Sequence, residues 1–138
     1  MTVCALASLP VRLDPFRILV VEDEALVALL VEYELNGAGA TVLGPAASVA
    51  TALRLLDQAL AGDGLDAAVL DVNLGGESVL PVADRLAQRA VPFLFMTGYG
   101  DVEGLGPHAV VPTLRKPFAP PDLLAMLACL IRAGKPKA

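Results

Sequence analysis

Short apolar runs that stop at a polar residue recur four times along this chain, and they constrain its fold more than any other feature. Arg17-Ile-Leu-Val-Val21 runs into Glu22-Asp23, Ala67-Ala-Val-Leu70 into Asp71, Pro92-Phe-Leu-Phe-Met96 into Thr97, and Val110-Val-Pro-Thr-Leu-Arg115 into Lys116. The first three are continuous rather than alternating, which marks strands buried on both faces, as in a parallel sheet. Pro112 assigns the last run to an edge, because proline cannot donate to a central ladder.

Between these runs lie segments with helical spacing. Residues 24–35 place Leu26, Leu29, Leu30 and Tyr33 on one helical stripe, stopped by Asn36-Gly-Ala-Gly39. Thr41-Val-Leu43 reads as a further strand, broken by Gly44-Pro45. Ser48 is placed to cap a helix carrying Val49, Leu53, Leu56 and Leu60. After Asp71 a loop, Asn73-Leu-Gly-Gly76, leads to a helix through Val79, Val82, Ala83 and Leu86, with Pro81 in its first turn. Residues 101–108 are short and glycine-rich, so the fourth helix is expected to be short or irregular. Pro120-Pro-Asp122 opens a last helix whose stripe over residues 123–131 is expected to be mostly core. Strand and helix thus alternate about five times, the pattern of a doubly wound α/β fold with a parallel central sheet. In such sheets ligands bind outside the carboxyl ends of the strands, where each notable polar residue falls.

Length, charge and cysteine content narrow the class. At 138 residues the chain suits one domain, and its 56% hydrophobic content predicts a large core. No apolar run approaches the roughly 20 residues needed to span a bilayer. A net charge of -5 with no basic patch argues against nucleic acid as a partner. Cys4 and Cys129 are too few and too far apart in sequence for a disulfide framework, and both are read as reduced thiols in a cytoplasmic chain. Residues 1–15 lack the features of a secretory signal and read as an N-terminal extension, with 16–134 the domain and 135–138 a tail.

Glu22, Asp23, Asp71, Thr97 and Lys116 therefore converge on one edge. Three carboxylates brought together repel one another unless a cation compensates. A hard divalent ion such as Mg²⁺ takes one or two carboxylates and keeps several waters. Asp23 and Asp71 are candidates for direct ligation, Glu22 for contact through water, and the Asn73 carbonyl for the remaining protein oxygen. A strand-end carboxylate is also a nucleophile towards phosphorus, and Asp71 is the candidate acceptor. The Lys116 ammonium and the Thr97 hydroxyl would then neutralise oxygens of the transferred group. Gly98 leaves room for a donor. Asn73 and Tyr99, two residues beyond Asp71 and Thr97, would flank the phosphoryl group, whereas His108 reads as a surface loop residue.

The acidic pair in Leu19-Val-Val-Glu-Asp23, the aspartate of Val69-Leu-Asp71, the Thr97-Gly98 pair and Lys116-Pro-Phe118 resemble the response-regulator receiver family of two-component systems, over nearly all of residues 16–132. Phe93-Leu-Phe-Met-Thr-Gly-Tyr99 is similar to a single-domain subgroup with a Phe-x-Thr-Gly-type fourth strand. The resemblance implies a flavodoxin-like (βα)5 fold with strand order 2-1-3-4-5. It also implies phosphotransfer from a histidine kinase or phosphotransfer protein to Asp71, Mg²⁺ dependence, and output through contacts with a downstream protein rather than enzymatic turnover. A homodimer stays open. Thr113 stands where the family carries an aromatic switch, the 101–108 region is short, and Gly75-Gly76 replace a common proline, so output through the usual surface is not expected. Two other functions compete. A pseudo-receiver would keep the fold without phosphorylation. A haloacid-dehalogenase-like phosphatase wants an aspartate where Asn73 stands, and an amide cannot relay a proton.

Overall fold

The computed structural model describes residues 11–98, 106–108 and 110–134. Strands β1 (Arg17–Val21), β2 (Thr41–Ala46), β3 (Ala67–Asp71), β6 (Phe93–Thr97) and β7 (Thr113–Arg115) form one parallel sheet in the order β2-β1-β3-β6-β7. Counting these five alone, the order is 2-1-3-4-5, as expected. A two-stranded antiparallel hairpin, β4 (Asn73–Leu74) with β5 (Glu77–Ser78), follows β3 directly. Helices α1 (Ala25–Gly37), α2 (Val49–Ala61), α3 (Leu80–Gln88) and α4 (Pro120–Gly134) complete the fold, with one turn of 3₁₀ helix at Gly106–His108.

β3 and β6 are buried along their whole length, as continuous apolar runs require. Alternate residues of each strand feed two separate cores. Leu19, Val21, Ala68, Leu70, Phe93 and Phe95 pack against α2 and α3, while Ile18, Val20, Val69, Leu94 and Met96 pack against α1 and α4. Leu13, in the segment before β1, is fully buried in the second core. Its N–H donates to the Ala38 carbonyl.

Several expectations hold in detail. Ser48 caps α2 by accepting the Thr51 N–H, Pro81 sits in the first turn of α3, and Val79, Val82, Ala83 and Leu86 are all buried. In α4, Leu123, Leu127, Ala128 and Ile131 are core.

Others are corrected. β2 does not stop at Leu43 but continues through Gly44-Pro45 to Ala46. It is an edge strand, where a missing N–H is tolerated, and its register against β1 shifts between Leu19 and Val21. Gly44 has φ +95°, and a Cβ there would meet the Val20 carbonyl oxygen at 2.8 Å, so no other residue fits that shift. β7 is confined to three residues, with Pro112 just outside it on the edge side of the sheet. In α1 the stripe of Leu26, Leu29, Leu30 and Tyr33 faces outward, and the buried residues are Ala28, Val31 and Leu35. His108 is buried, stacked edge-on to Phe93 and 2.7 Å from the Asp84 carboxylate on α3. Cys129 is disulfide-bonded rather than a reduced thiol. Tyr99 and Cys4 lie outside the described residues, as does most of the 101–108 region.

Candidate phosphoacceptor and metal site

Glu22 and Lys116 sit one step beyond a strand and Asp23 two, Asp71 and Thr97 end theirs, and Asn73 opens β4. β1 and β3 are neighbours in register, Val21 opposite Leu70, so the chain direction brings Glu22 beside Asp71. The Glu22 N–H is taken by the Ala46 carbonyl of β2, which extends the ladder one residue past β1. β6 lies on the other side of β3, and the Lys116 N–H donates to the Thr97 carbonyl at 2.8 Å, so the lysine is pinned to the end of the same sheet. The Lys116–Pro117 peptide is cis.

The side chains close into a compact charge cluster. One carboxylate oxygen each from Glu22, Asp23 and Asp71 lies within 4.8 Å of the others. The Lys116 ammonium reaches Glu22 Oε1 at 2.8 Å and Asp71 Oδ2 at 3.4 Å, with Glu24 further off at 4.0 Å. Glu22 Oε2 accepts the Glu24 N–H, and Asp71 Oδ1 accepts the Asn73 N–H at 3.3 Å. Glu22 Oε1 is fully buried and, despite the nearby ammonium, has no aligned hydrogen bond among the described residues.

Burial of Asp71 in this company disfavours its charged form. Desolvation, the Glu22 carboxyl beside it and the Glu22 charge push Asp71 from an ordinary 3.8 up to about 7, although Lys116 and the Asn73 N–H pull the other way. Burial alone would lower the Lys116 ammonium, but Glu22 and Asp71 together outweigh it and hold the lysine above its usual value. One ammonium thus sits among the carboxylates of Glu22, Asp23 and Asp71, with Glu24 nearby, and the excess negative charge suits a hard cation. The donor set therefore fits Mg²⁺: Asp23 and Asp71 at the rim, Glu22 behind them, and Asn73 at the mouth.

A cleft of about 430 Å³ opens above these groups, lined by Asp23, Glu24, Asp71, Asn73, Gly75, Gly76, Gly98 and Lys116. Asp71 is 4% exposed, yet it lines this cleft. Thr97 is buried at the end of β6 and does not line the cleft. Gly75 and Gly76, both at positive φ, make the two-residue turn of the β4–β5 hairpin and bring it against Asp23. The sequence indicated the acids, Thr97, Lys116 and Asn73, but not that hairpin wall. The paired glycines after Asn73 were the signal for it.

Comparison with known proteins agrees with this geometry. Residues 18–128 match the response regulator receiver domain family. The phosphate regulon transcriptional regulatory protein PhoB of Rhizobium meliloti is 30% identical over 129 residues, which is 88% of this chain and 54% of that protein; the chain thus spans about half the length of this curated relative. The solution structure of SdrG from Sphingomonas melonis is 41% identical, with a TM-score of 0.73 over 84% of this chain and 96% of that one. A response regulator of Chloroflexus aurantiacus is 31% identical, with a TM-score of 0.73 over 86% and 99%. In fold alone, PhyR from Brucella abortus is similar at 22% identity and a TM-score of 0.74, covering 88% of this chain and 50% of that one. Sheet order, strand-end acids and matched residues coincide, and the chain belongs to the response regulator receiver domain family.

Proposed function

We propose that this receiver domain takes a phosphoryl group onto Asp71 from a histidine kinase or phosphotransfer protein, with Mg²⁺ bound, and signals through protein contacts. The observation that carries the reading is the Asp71 carboxylate itself. It lines the cleft, 3.4 Å from the Lys116 ammonium and within 4.8 Å of two further carboxylates. An Asp71 oxygen attacks phosphorus, the bond from phosphorus to the donor imidazole breaks, and the imidazole nitrogen keeps the electron pair. Lys116 balances charge on the transferred oxygens, and the Asn73 N–H orients the attacking carboxylate. Bound Mg²⁺ supplies the remaining positive charge, on the acids and on the phosphoryl group alike. Thr97 would have to turn its hydroxyl outward to meet a phosphoryl oxygen, a movement that fits a two-state signalling domain.

A protein donor is supported by the outer face of α1. Leu26, Leu29, Leu30 and Tyr33 are exposed there, in a stripe that begins two residues after Glu24 at the rim of the cleft. A partner that delivers a phosphoryl group to Asp71 would cover this stripe. Among the described residues no helix is long and apolar enough to cross a membrane, and a cytoplasmic location fits a kinase-linked role. The Asn73 side chain oxygen accepts the Gly76 N–H, an arrangement with no proton to relay, which disfavours a phosphatase of the aspartate-relay type.

The test is intact mass after incubation with acetyl phosphate or a phosphorylated histidine kinase, with Mg²⁺ or EDTA, for wild type and Asp71→Asn. One added phosphoryl group that needs both metal and Asp71 is expected. No addition with a competent donor would leave the fold intact and make the domain a phosphorylation-independent interaction module.

A further inference from the structure

The wall of the cleft beyond Asp71 is built from Asn73, Gly75 and Gly76, all in the β4–β5 hairpin. Two-residue strands are marginal by themselves. Leu74 roots the near strand in the α2/α3 core, and the turn is tied internally by the Gly76 N–H to Asn73 Oδ1 at 2.8 Å. The far strand is exposed at both residues. Even so, Glu77 reaches back 28 residues and accepts the N–H of Val49, the first residue of α2, at 3.2 Å.

That bond is not simply a helix cap. Ser48 already caps α2 through the Thr51 N–H, and Val49 would otherwise carry an unfilled donor at the positive end of the helix. A carboxylate there is favoured electrostatically, and its effect is to strap the outer strand of the hairpin to a helix rooted in the core. The strap holds the outer strand at Glu77, directly opposite Leu74, which holds the inner strand, and the two together keep Asn73 beside the Asp71 carboxylate.

We propose that Glu77 is a positioning residue for the Asp71 site, and that its bond to Val49 keeps the hairpin closed and thereby sets the lifetime of the acyl phosphate. The inference rests on the phosphoacceptor reading above. In hydrolysis a water oxygen attacks phosphorus, the bond from phosphorus to the Asp71 oxygen breaks, and its electron pair returns to the carboxylate. Inorganic phosphate leaves and the water's proton passes to solvent. A wall held in place limits water at the mouth of the cleft, and a loosened wall admits it.

The experiment compares wild type, Glu77→Ala and Glu77→Gln after loading with acetyl phosphate at saturating Mg²⁺. It reads acyl-phosphate half-life, Mg²⁺ affinity, and amide hydrogen exchange at Val49 and Gly76. Glutamine keeps an acceptor oxygen of equal reach and should rescue. Expected are a half-life at least threefold shorter in Glu77→Ala, less than twofold changed in Glu77→Gln, with Mg²⁺ affinity within twofold in both and faster exchange at the two amides only in Glu77→Ala. A smaller effect of alanine, an equal effect of glutamine, unchanged exchange, or a larger loss of Mg²⁺ affinity overturns the proposal. A wild type that takes up no phosphoryl group overturns the phosphoacceptor reading as well, whereas failure of Glu77 alone is seen only in a wild type that loads.

Discussion

At Asp71 the protein keeps a carboxyl whose charge is in balance near neutral pH. Its folded value of about 7 lies above its ordinary 3.8, raised first by burial and then by Glu22. A carboxyl raised on folding binds protons more tightly in the folded state. Its contribution to stability is therefore fully present below about pH 4 and lost as pH rises through about 7. Metal-free protein should accordingly lose melting temperature between pH 5 and 8, and Asp71→Asn should flatten that slope. Mg²⁺ has no proton to displace at pH 8, so it should raise the melting temperature more there than at pH 6. Melts at three pH values, with Mg²⁺ and with EDTA, check both statements, and a slope unchanged by Asp71→Asn would contradict them. Glu22→Gln removes one negative charge from behind the rim and should weaken Mg²⁺ binding about tenfold, the scale typical of outer ligand-orienting groups, as read by calorimetric titration.

Elements were legible in the sequence to different degrees, for reasons that differ by element. β1, β3 and β6 declared themselves because unbroken apolar runs that stop at an acid or a threonine have few other uses. α1 was found, but on the wrong face. Leu and Val surround it on nearly every side, so spacing alone could not distinguish the stripe facing β1 from the stripe facing out. The hairpin was read as a loop because strands of two residues are too short to show a pattern. His108 was placed at the surface because its partner Asp84 lies 24 residues away, a pairing that only the packing of the 3₁₀ turn on α3 reveals. The candidate site was more legible than the walls around it, since charged residues at strand ends are set by strand direction alone. Two expectations belong at this scale. Phe95, fully buried between β6 and α3, should cost about 3–5 kcal/mol when replaced by alanine, read by urea unfolding. Leu29→Ser on the outer stripe of α1 should change stability by no more than about 0.5 kcal/mol. It should slow transfer from a phosphorylated protein donor severalfold while acetyl phosphate loading stays as in wild type, and an equal loss with both donors would remove α1 from the docking surface.

Across the whole molecule, two cores on opposite faces of one sheet share every strand of its centre. A cavity on either side thus weakens the same ladder, and unfolding should be a single transition, with or without metal. Ion binding to the folded state alone should shift that transition by mass action, about 2.7 kcal/mol at a hundredfold excess over the dissociation constant. Denaturant titrations at rising Mg²⁺ check this, and a midpoint that ignores the ion would argue against a site at the sheet's edge. The register of β1 on β3 carries one more consequence. Adjacent strands stand about 4.8 Å apart in any sheet, and Glu22 and Asp71, one step past paired residues, sit within a cluster whose oxygens span no more than 4.8 Å. The backbone ladder thus anchors the roots of Glu22 and Asp71 side by side, whereas Asp23 joins them from the loop after β1. What the sheet settles is where the two side chains are rooted, and their rotamers settle the rest.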